Sequence, residues 1–370
     1  SVTTPAARPA GDSLAGRVVG TRVFGFSQGE RAGRRDDFVR AVLRGALEAQ
    51  YRSGMGRADY VDLLAAGSMP EACRLPQRYR ADWLESYVSR LLGRDLREFS
   101  RLSDPRRLRS LLAGLAAAQG SETVVARLGG AVNLSASTTT SYMELLRALH
   151  LVERLPPWTP NLLKREVGRS KYLLTDSALA MRLTRTSPDT LKDLVRGGAL
   201  GGLLEAFVAA ELMRQSTWCE ERFTISHYRS PDGREIDLIL ELDDGRVIAV
   251  EVKAASSASA ADARHLRWLE GRIGDRLVAG VVLTTDDRAR HLGGRLRPGR
   301  EARPRAGNRR AHRPGGLARS GHRGAQDRIG RTGAHRPGPG TGQRPGPAHR
   351  GCRGRNRHDR RARWNCQGHR

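Results

Sequence analysis

The feature that most constrains the fold is a pair of apolar segments joined by a turn, with charges placed at their outer ends. The Asp244-Gly245 pair between the segments is a strong signal for a β-hairpin. Folding at that turn brings Asp237 to within about one residue of lying opposite Glu251. Because side chains alternate along a strand, Glu251 and Lys253 share one face. Two carboxylates and one ammonium are therefore predicted to converge.

Such a cluster suits a hard divalent cation such as Mg²⁺ and can orient a water molecule for attack on a phosphate. The alternative is an exposed Glu-X-Lys pair on a half-polar strand, which contributes little. Val250 and Val252 favour the first interpretation, since charges embedded in a buried apolar run need partners. Arg234 and Glu235 would close or tune this site, and Tyr228 would line it.

The lysine content gives Lys253 further weight. Lysine occurs at positions 164, 171, 192 and 253 only, so nearly all of the 65 basic residues are arginine. This bias is typical of a GC-rich coding sequence. Where arginine is the usual basic residue, a lysine is less easily explained as an interchangeable surface charge. Arginine also does not replace the compact ammonium group of lysine beside a catalytic water.

Most of the net charge of +26 comes from one end of the chain. Residues 297–370 contain 21 Arg, no Lys and three acidic residues, and therefore carry +18. The same stretch is rich in Gly, Pro and His and too poor in large aliphatic residues to bury a core, which predicts disorder. A disordered RNA-binding tail is one interpretation. Translation of GC-rich DNA in a shifted frame is the other, and it is favoured because no Arg-Gly-Gly repeat occurs.

Cysteine and hydropathy patterns exclude several classes of protein. Cys73, Cys219, Cys352 and Cys366 form no Cys-X-X-Cys pair, which argues against a disulfide scaffold or a structural zinc site. No apolar run approaches the ~18 residues needed to span a bilayer, and no signal peptide pattern opens the sequence. We expect a cytoplasmic protein that does not enter a membrane.

Coarse patterning divides the chain into successive regions. A helix is predicted from about Asp36 to Ser68 and another within 70–99, from apolar residues at i, i+3 and i+4. Ser103-Asp104-Pro105 is a helix-start signal. The last folded unit reads as a helix at 202–213, three strands, a helix near 261–271 and a final strand. Its continuous apolar strands predict an α/β sheet covered on both faces.

Residues 121–175 show the order helix, turn, helix and two short strands, which is typical of a winged helix-turn-helix. The helix at 137–149 would be the recognition helix. Its candidate contacts to DNA are Thr138, Thr139, Ser141 and Arg147. A small helical packing module that never meets DNA fits the same pattern, because a motif match is only a hypothesis.

Several short motifs recur in the same order in one known family. In sequence they are Asp12–Arg17, Phe26–Glu30, Gly67–Glu71, Trp83–Tyr87, Arg94–Leu96, Leu155–Trp158, Asn161-Leu162, Lys171–Asp176, Gly202–Glu205, Arg234–Asp237 and Val250–Lys253. Together they resemble the C-terminal region of a bacterial and archaeal family of AAA-type ATP-binding proteins. In that family a P-loop ATPase module precedes a winged helix and a restriction-endonuclease-like domain of unknown function.

The resemblance implies both a fold and a site. The fold would be a helical and winged-helix region followed by a PD-(D/E)XK nuclease-like α/β domain, with a disordered tail. Carried over by motif, Glu205, Asp237 and Glu251 would bind Mg²⁺. Glu251 and Lys253 would be catalytic, with Lys253 orienting the attacking water and offsetting charge on the phosphate.

The resemblance also suggests domain limits. They are 1–35 for the end of an ATPase module, 36–104 for a helical region, 105–185 for the winged helix, 200–296 for the nuclease-like domain and 297–370 for the tail.

One departure from the family concerns ATP. No Gly-X-X-X-X-Gly-Lys-Ser/Thr sequence occurs, so the β- and γ-phosphates of ATP have no cradle. The expected function is that of a truncated family member that keeps a DNA-binding and a nuclease-like part and does not hydrolyse ATP by itself. An autonomous Mg²⁺-dependent DNA nuclease and a non-catalytic interaction module are the alternatives. DNA and a protein are the expected partners, and the sequence leaves the oligomeric state open.

Overall fold

The computed structural model describes residue 20, residues 22–47, 52–95, 104–159, 168–289, residue 292 and residues 366–369. Its helices are α1 (Gln28–Arg31), α2 (Phe38–Leu43), α3 (Arg57–Ala66), α4 (Gln77–Arg90), α5 (Pro105–Ala117), α6 (Val125–Ala131), α7 (Ala136–Ala148), α8 (Ser177–Leu183), α9 (Pro188–Lys192), α10 (Leu200–Gln215) and α11 (Arg264–Ile273). Its strands are β1 (Val152–Leu155), β2 (Lys171–Leu174), β3 (Phe223–Arg229), β4 (Glu235–Leu242), β5 (Val247–Lys253), β6 (Leu277–Thr284) and β7 (Cys366–His369). The described part is thus a mixed α/β protein with two sheets.

The region predicted as one long helix from about 36 to 68 contains two. Helix α2 ends before Gly45, and α3 begins after Gly56. Gly45 and Gly54 adopt φ angles of 66° and 65°, which a helix cannot continue through. Helical periodicity on either side concealed this break, so the prediction of a single helix was wrong. The predicted start at Asp104 is confirmed, since its carboxylate accepts hydrogen bonds from the N–H groups of Arg106 and Arg107.

The segment predicted to contain two helices and two strands contains them. Helix α6 leads to Asn133, whose φ of 55° turns the chain, and Ser135 then caps α7 by accepting from the N–H of Thr138. Strands β1 and β2 follow as an antiparallel pair that joins Leu155 to Lys171. We call this pair the hairpin.

The hairpin is connected directly to the larger sheet. Beyond β1, the N–H of Trp158 donates to the carbonyl of His227 at 2.6 Å, and the N–H of His227 donates to the carbonyl of Pro156 at 3.0 Å. His227 lies at a β-bulge of β3. A bulge leaves one residue unpaired in the ladder, and here that residue is bonded by the segment after β1. The connection brings β2 beside the start of β4.

The larger sheet has the order β3-β4-β5-β6-β7, with β5 and β6 parallel and the other neighbours antiparallel. Helix α11 makes the crossover between the two parallel strands. Leu238, Leu240, Ile248 and Val250 belong to one buried cluster with α10, while Ile239, Val247 and Ala249 belong to another with α11. Both faces are therefore covered, which explains the continuous apolar strand sequences.

Strand β7 lies within the stretch 297–370, where the sequence predicted disorder. Its backbone pairs antiparallel with residues 280–283 of β6. For these four residues the prediction of disorder was wrong, and the physical reason is that β6 otherwise presents a row of unpaired backbone groups. The remainder of 297–370 lies outside the described residues. Within the described part, no helix combines the length and apolar character needed to span a bilayer.

Candidate metal-binding acidic site

Strands β4 and β5 are joined by the predicted tight turn. Gly245 adopts a φ of 84° and donates its N–H to the carbonyl of Leu242 at 2.8 Å. Pairing continues from the turn to Leu238 opposite Val250, a register that sets Asp237 opposite Glu251. The predicted proximity of these two carboxylates is confirmed.

Asp237 lies at the position where the backbone pairing between β4 and β5 ends. Its Oδ2 accepts a hydrogen bond from the N–H of Val252 at 2.7 Å. At this end of the strands, a hydrogen bond to the Asp237 side chain thus replaces the backbone hydrogen bonds between β4 and β5. The contact fixes the orientation of Asp237 and keeps it beside Glu251.

Glu251 is the most enclosed carboxylate of the site. Its side chain is 3 % exposed, and its Oε2 accepts from the Nζ of Lys253 at 3.0 Å. Among the described residues, no N–H or hydroxyl group donates to its Oε1, and Nδ1 of His265 lies 4.0 Å away. Burial, followed by the charge of Asp237, raises the pKa of Glu251 to about 8 despite the ammonium of Lys253. A side-chain hydrogen bond between Glu251 and Asp237 also raises this pKa, so a cation that binds Glu251 at neutral pH must displace its proton.

Lys253 is the part of the site that solvent reaches. Its side chain is 36 % exposed. Burial acts to lower the pKa of Lys253, but Asp237 and Glu251 outweigh it and hold the pKa above the usual value. The ammonium is therefore charged at neutral pH and has further N–H groups that can face a ligand.

Lys171 is a site residue that the sequence analysis did not assign. It begins β2 in the hairpin, yet its Nζ lies 2.8 Å from Oε1 of Glu205 and 2.8 Å from Oε1 of Glu235. The side chain is 2 % exposed. Burial acts to lower its pKa, but Glu205, Asp237 and Glu235 outweigh it, so the pKa of Lys171 is raised. Two sequence signals could have singled it out, namely the rarity of lysine and its position at the start of the motif Lys171–Asp176.

Glu205 lies on α10, where the sequence placed it, and is paired with Lys171. The turn at Gly120 packs on the start of α10 so closely that a Cβ there would lie 2.9 Å from Oε2 of Glu205 and 2.8 Å from Cα of Gly202. Burial, followed by the charge of Asp237, raises the pKa of Glu205 to about 8, although Lys171 opposes this. Glu205 therefore faces both Asp237 and the hairpin.

The residues present fit a divalent cation only in part. Among the described residues, no group of three or more His, Cys, Asp and Glu side chains is arranged to hold a metal ion. Asp237 and Glu251 are adjacent residues whose carboxyl oxygens could act as metal ligands. Among the described residues, Oε1 of Glu251 accepts no hydrogen bond from an N–H or hydroxyl group. Mg²⁺ is commonly bound by one or two carboxylates and keeps several waters. This pair meets that requirement, whereas Glu205 is engaged by Lys171.

Tyr228, which was predicted to line the site, lies in a cluster of aromatic side chains. Its ring contacts Trp158 with centroids 6.3 Å apart and Trp268 of α11 with centroids 5.4 Å apart. The guanidinium of Arg234 lies over the ring of Trp268 at 5.0 Å. Arg234, which was predicted to close or tune the site, therefore packs on this aromatic cluster.

The predicted DNA-contacting residues of α7 differ in their surroundings. Thr139 is completely buried, and its hydroxyl donates to the carbonyl of Ser135 at 2.7 Å. Its role is packing between α6 and α7, so its prediction as a contact to DNA was wrong. Thr138 is half-buried and Ser141 is exposed. Arg147 forms an ion pair with Glu144 at 2.7 Å, which reduces the positive charge this helix presents.

Two of the motifs quoted for the family resemblance meet in space. Asp176 accepts hydrogen bonds from the N–H of Ser68 at 2.6 Å and from its hydroxyl at 2.9 Å. A Cβ on Gly67 would lie 2.7 Å from the same carboxylate. These residues thus serve packing between α3 and α8. The motif Asp12–Arg17 and Asn161-Leu162 lie outside the described residues.

Comparison with known proteins supports two domains of unknown function. Family models described as domains of unknown function match residues 57–190 (DUF8612) and residues 200–298 (DUF4143). Uncharacterized proteins of Mycobacterium bovis and Mycobacterium tuberculosis are each 26% identical over 196 residues, which is 53% of this chain and 43% of theirs. The chain thus spans less than half the length of these curated relatives. No solved structure matches.

Proposed function

We propose that residues 200–289 form a PD-(D/E)XK-type site that cleaves phosphodiester bonds in DNA with Mg²⁺. The observation that carries this proposal is the pair Asp237 and Glu251, set opposite each other beside Lys253, with one buried carboxylate oxygen to which no N–H or hydroxyl group of the described residues donates. The order α10, β3, β4, β5, α11, β6 provides the helix and sheet on which the resemblance places such a site. The matched domain DUF4143 is typically found in proteins associated with AAA-type ATPases, which agrees with the proposed origin of this site.

The residues divide the work in this proposal. Asp237 and Glu251 would hold Mg²⁺, which supplies a Lewis acid and favours ionisation of a bound water. The bond from Val252 to Asp237 and the bond from Lys253 to Glu251 fix both carboxylates. Lys253, partly exposed and charged, would neutralise negative charge that develops on the scissile phosphate.

The helical unit before the sheet would bring the DNA. Helix α7 and the hairpin follow the order of a winged helix, with α7 as the recognition helix. Its exposed face carries Ser137, Thr140 and Ser141. The hydroxyls of Thr140 and Ser141 donate to backbone carbonyls one turn earlier and would have to rotate to contact phosphate or base edges. The Arg147–Glu144 pair leaves this face with little charge, so DNA binding here would be weak and would depend on salt.

A cleavage assay with the full chain tests the proposal. Supercoiled and linear DNA would be incubated with millimolar Mg²⁺, and we expect cleavage that EDTA abolishes. Lys253→Met and Glu251→Gln should each reduce the rate by a factor on the order of 100 or more. Lys192→Met is the matched control, because Lys192 pairs with Asp62 at the surface. Cleavage that survives Lys253→Met would reject the site.

A second candidate function follows from Lys171. Because its ammonium holds Glu205 and Glu235, the acidic cluster is partly neutralised without any metal. A non-catalytic module that binds DNA or a protein therefore remains as the alternative. It predicts no cleavage of any nucleic acid with Mg²⁺, together with DNA binding that weakens as salt rises.

A further inference from the structure

Lys171 lies on β2 of the hairpin, but its side chain extends into the acidic site formed by α10 and the larger sheet. It belongs to the region matched by the first family model, whereas Glu205 and Glu235 belong to the region matched by the second. The backbone of Lys171 pairs with Leu155 inside the hairpin. Its side chain leaves the hairpin and ends between two carboxylates, buried from solvent. The acidic site is therefore not built from the sheet unit alone.

The site consists of two halves, each of which contains one lysine paired with carboxyl groups. One half contains Lys171 with Glu205 and Glu235, and both ion-pair distances are 2.8 Å. The other half contains Lys253 with Glu251 at 3.0 Å, and Asp237 bonded to the backbone. Four carboxylates thus face two ammonium groups. Lys171 pairs with Glu205 and Glu235, which leaves Asp237 and Glu251 as the pair on which a metal ion would first bind.

We propose that Lys171 is a built-in cation that occupies the Glu205 half of this site and competes there with a divalent metal ion, so that the hairpin sets the metal affinity. The inference rests on the divalent-cation site proposed above, but not on cleavage. While Lys171 is in place, a metal ion finds two carboxylates and a neighbouring positive charge. When Lys171 is withdrawn or neutralised, Glu205 is released from its ion pair and the repulsion between the ammonium and the metal ion is removed.

The position of Lys171 depends on the contacts that hold the hairpin. The segment after β1 is tied to the bulge of β3 by two backbone hydrogen bonds with His227. On its other side the hairpin packs against α7. A movement of α7 or of the hairpin would therefore shift the ammonium relative to Glu205. Metal affinity is coupled in this way to whatever the helical unit binds.

Titration calorimetry of the full chain with Mn²⁺ tests this directly. Lys171→Met removes the charge and keeps most of the side-chain volume, and we expect it to bind Mn²⁺ at least tenfold more tightly than the wild type. Lys171→Arg keeps the charge and should show no such gain. Lys192→Met removes a surface lysine and should leave the affinity unchanged. Equal or weaker binding by Lys171→Met would overturn the proposal.

A second measurement uses the wild-type chain and does not depend on a variant folding. The four lysines allow amine labelling to be mapped by mass spectrometry, and buried Lys171 should react slowly. Saturating Mn²⁺ should increase the labelling of Lys171 several-fold and leave Lys192 unchanged. Protection of Lys171 that no Mn²⁺ concentration relieves would also overturn the proposal. Tight Mn²⁺ binding by Lys171→Met without DNA cleavage would reject the nuclease function but support the role of Lys171.

Discussion

His227 shows how one buried residue makes the folded chain sensitive to acid. Burial, followed by the charge of Lys171, lowers its pKa to about 4. The unfolded chain has a histidine pKa of about 6.5, so between these values it binds more protons than the folded chain. Titration of His227 should therefore remove roughly 3 kcal/mol of unfolding free energy as pH drops from 6.5 to 4. Glu205 and Glu251, whose pKa values are raised to about 8, contribute with the opposite sign on acidification.

Denaturant titrations at several pH values would measure this effect. His227→Gln keeps a donor for the carbonyl of Arg169, which the ring contacts at 3.1 Å, and removes the titrating group. The difference in unfolding free energy between His227→Gln and the wild type should therefore shift in favour of the variant by roughly 3 kcal/mol as pH falls from 6.5 to 4. Parallel curves for the two proteins would show that His227 does not titrate as described.

At the residue scale, the sequence predicted neighbours along the chain better than contacts between regions. Asp237, Glu251 and Lys253 were found because one tight turn relates them, and the register of a hairpin follows from its turn. Lys171 was missed because its partners lie 34 and 64 positions further along, on elements whose packing no local pattern specifies. Thr139 was misjudged for a similar reason, since helical periodicity does not show which polar face another helix covers.

At the scale of elements, the contact between α6 and α7 yields a prediction. A Cβ at Gly129 would fall inside contact distance of the Thr139 hydroxyl and 3.0 Å from the carbonyl of Leu134. We expect Gly129→Ala to lower the unfolding free energy by about 1–3 kcal/mol, because backbone must shift to admit it. Gly130 is the matched control, since a Cβ there meets nothing within 4 Å.

Thermal unfolding of the two variants would decide the matter. Gly130→Ala should be neutral or stabilising by up to about 1 kcal/mol, as alanine is favoured over glycine in a helix. Equal stability of both variants would mean that α6 and α7 are not packed as closely as described. Such a pair also tests the proposed recognition helix, because a loosened turn should weaken DNA binding.

Across the whole molecule, the sequence predicted the order of elements but not how they pack into two buried clusters. Strong periodicity located α5, α7 and the strands of the larger sheet, since each buries a regular apolar pattern. Glycine positions between 44 and 56 were not interpreted as a break, and the partner strand of β6 was not foreseen. Both errors arise where backbone conformation or long-range pairing, rather than side-chain pattern, decides the structure.

The buried pair Glu211–Arg214 joins three parts of the molecule. Glu211 accepts from the N–H of Gln28 at 2.8 Å, and Arg214 donates to the carbonyls of Gly25 and Thr175 at 3.1 and 2.8 Å. Burial raises the pKa of Glu211, while Arg214 opposes this. Arg214→Met should lower the unfolding free energy by about 3–5 kcal/mol, since it leaves a buried carboxylate unpaired and two carbonyls without their donor.

Chemical denaturation of matched variants would test this cross-link. Arg196 pairs with Asp193 at the same sequence spacing but is 75 % exposed, so Arg196→Met should change the unfolding free energy by less than about 1 kcal/mol. The double variant Glu211→Gln/Arg214→Met should recover part of the loss, because the unpaired charge is gone. A loss in Arg214→Met no larger than in Arg196→Met would show that the pair does not hold the N-terminal segment and the hairpin to α10.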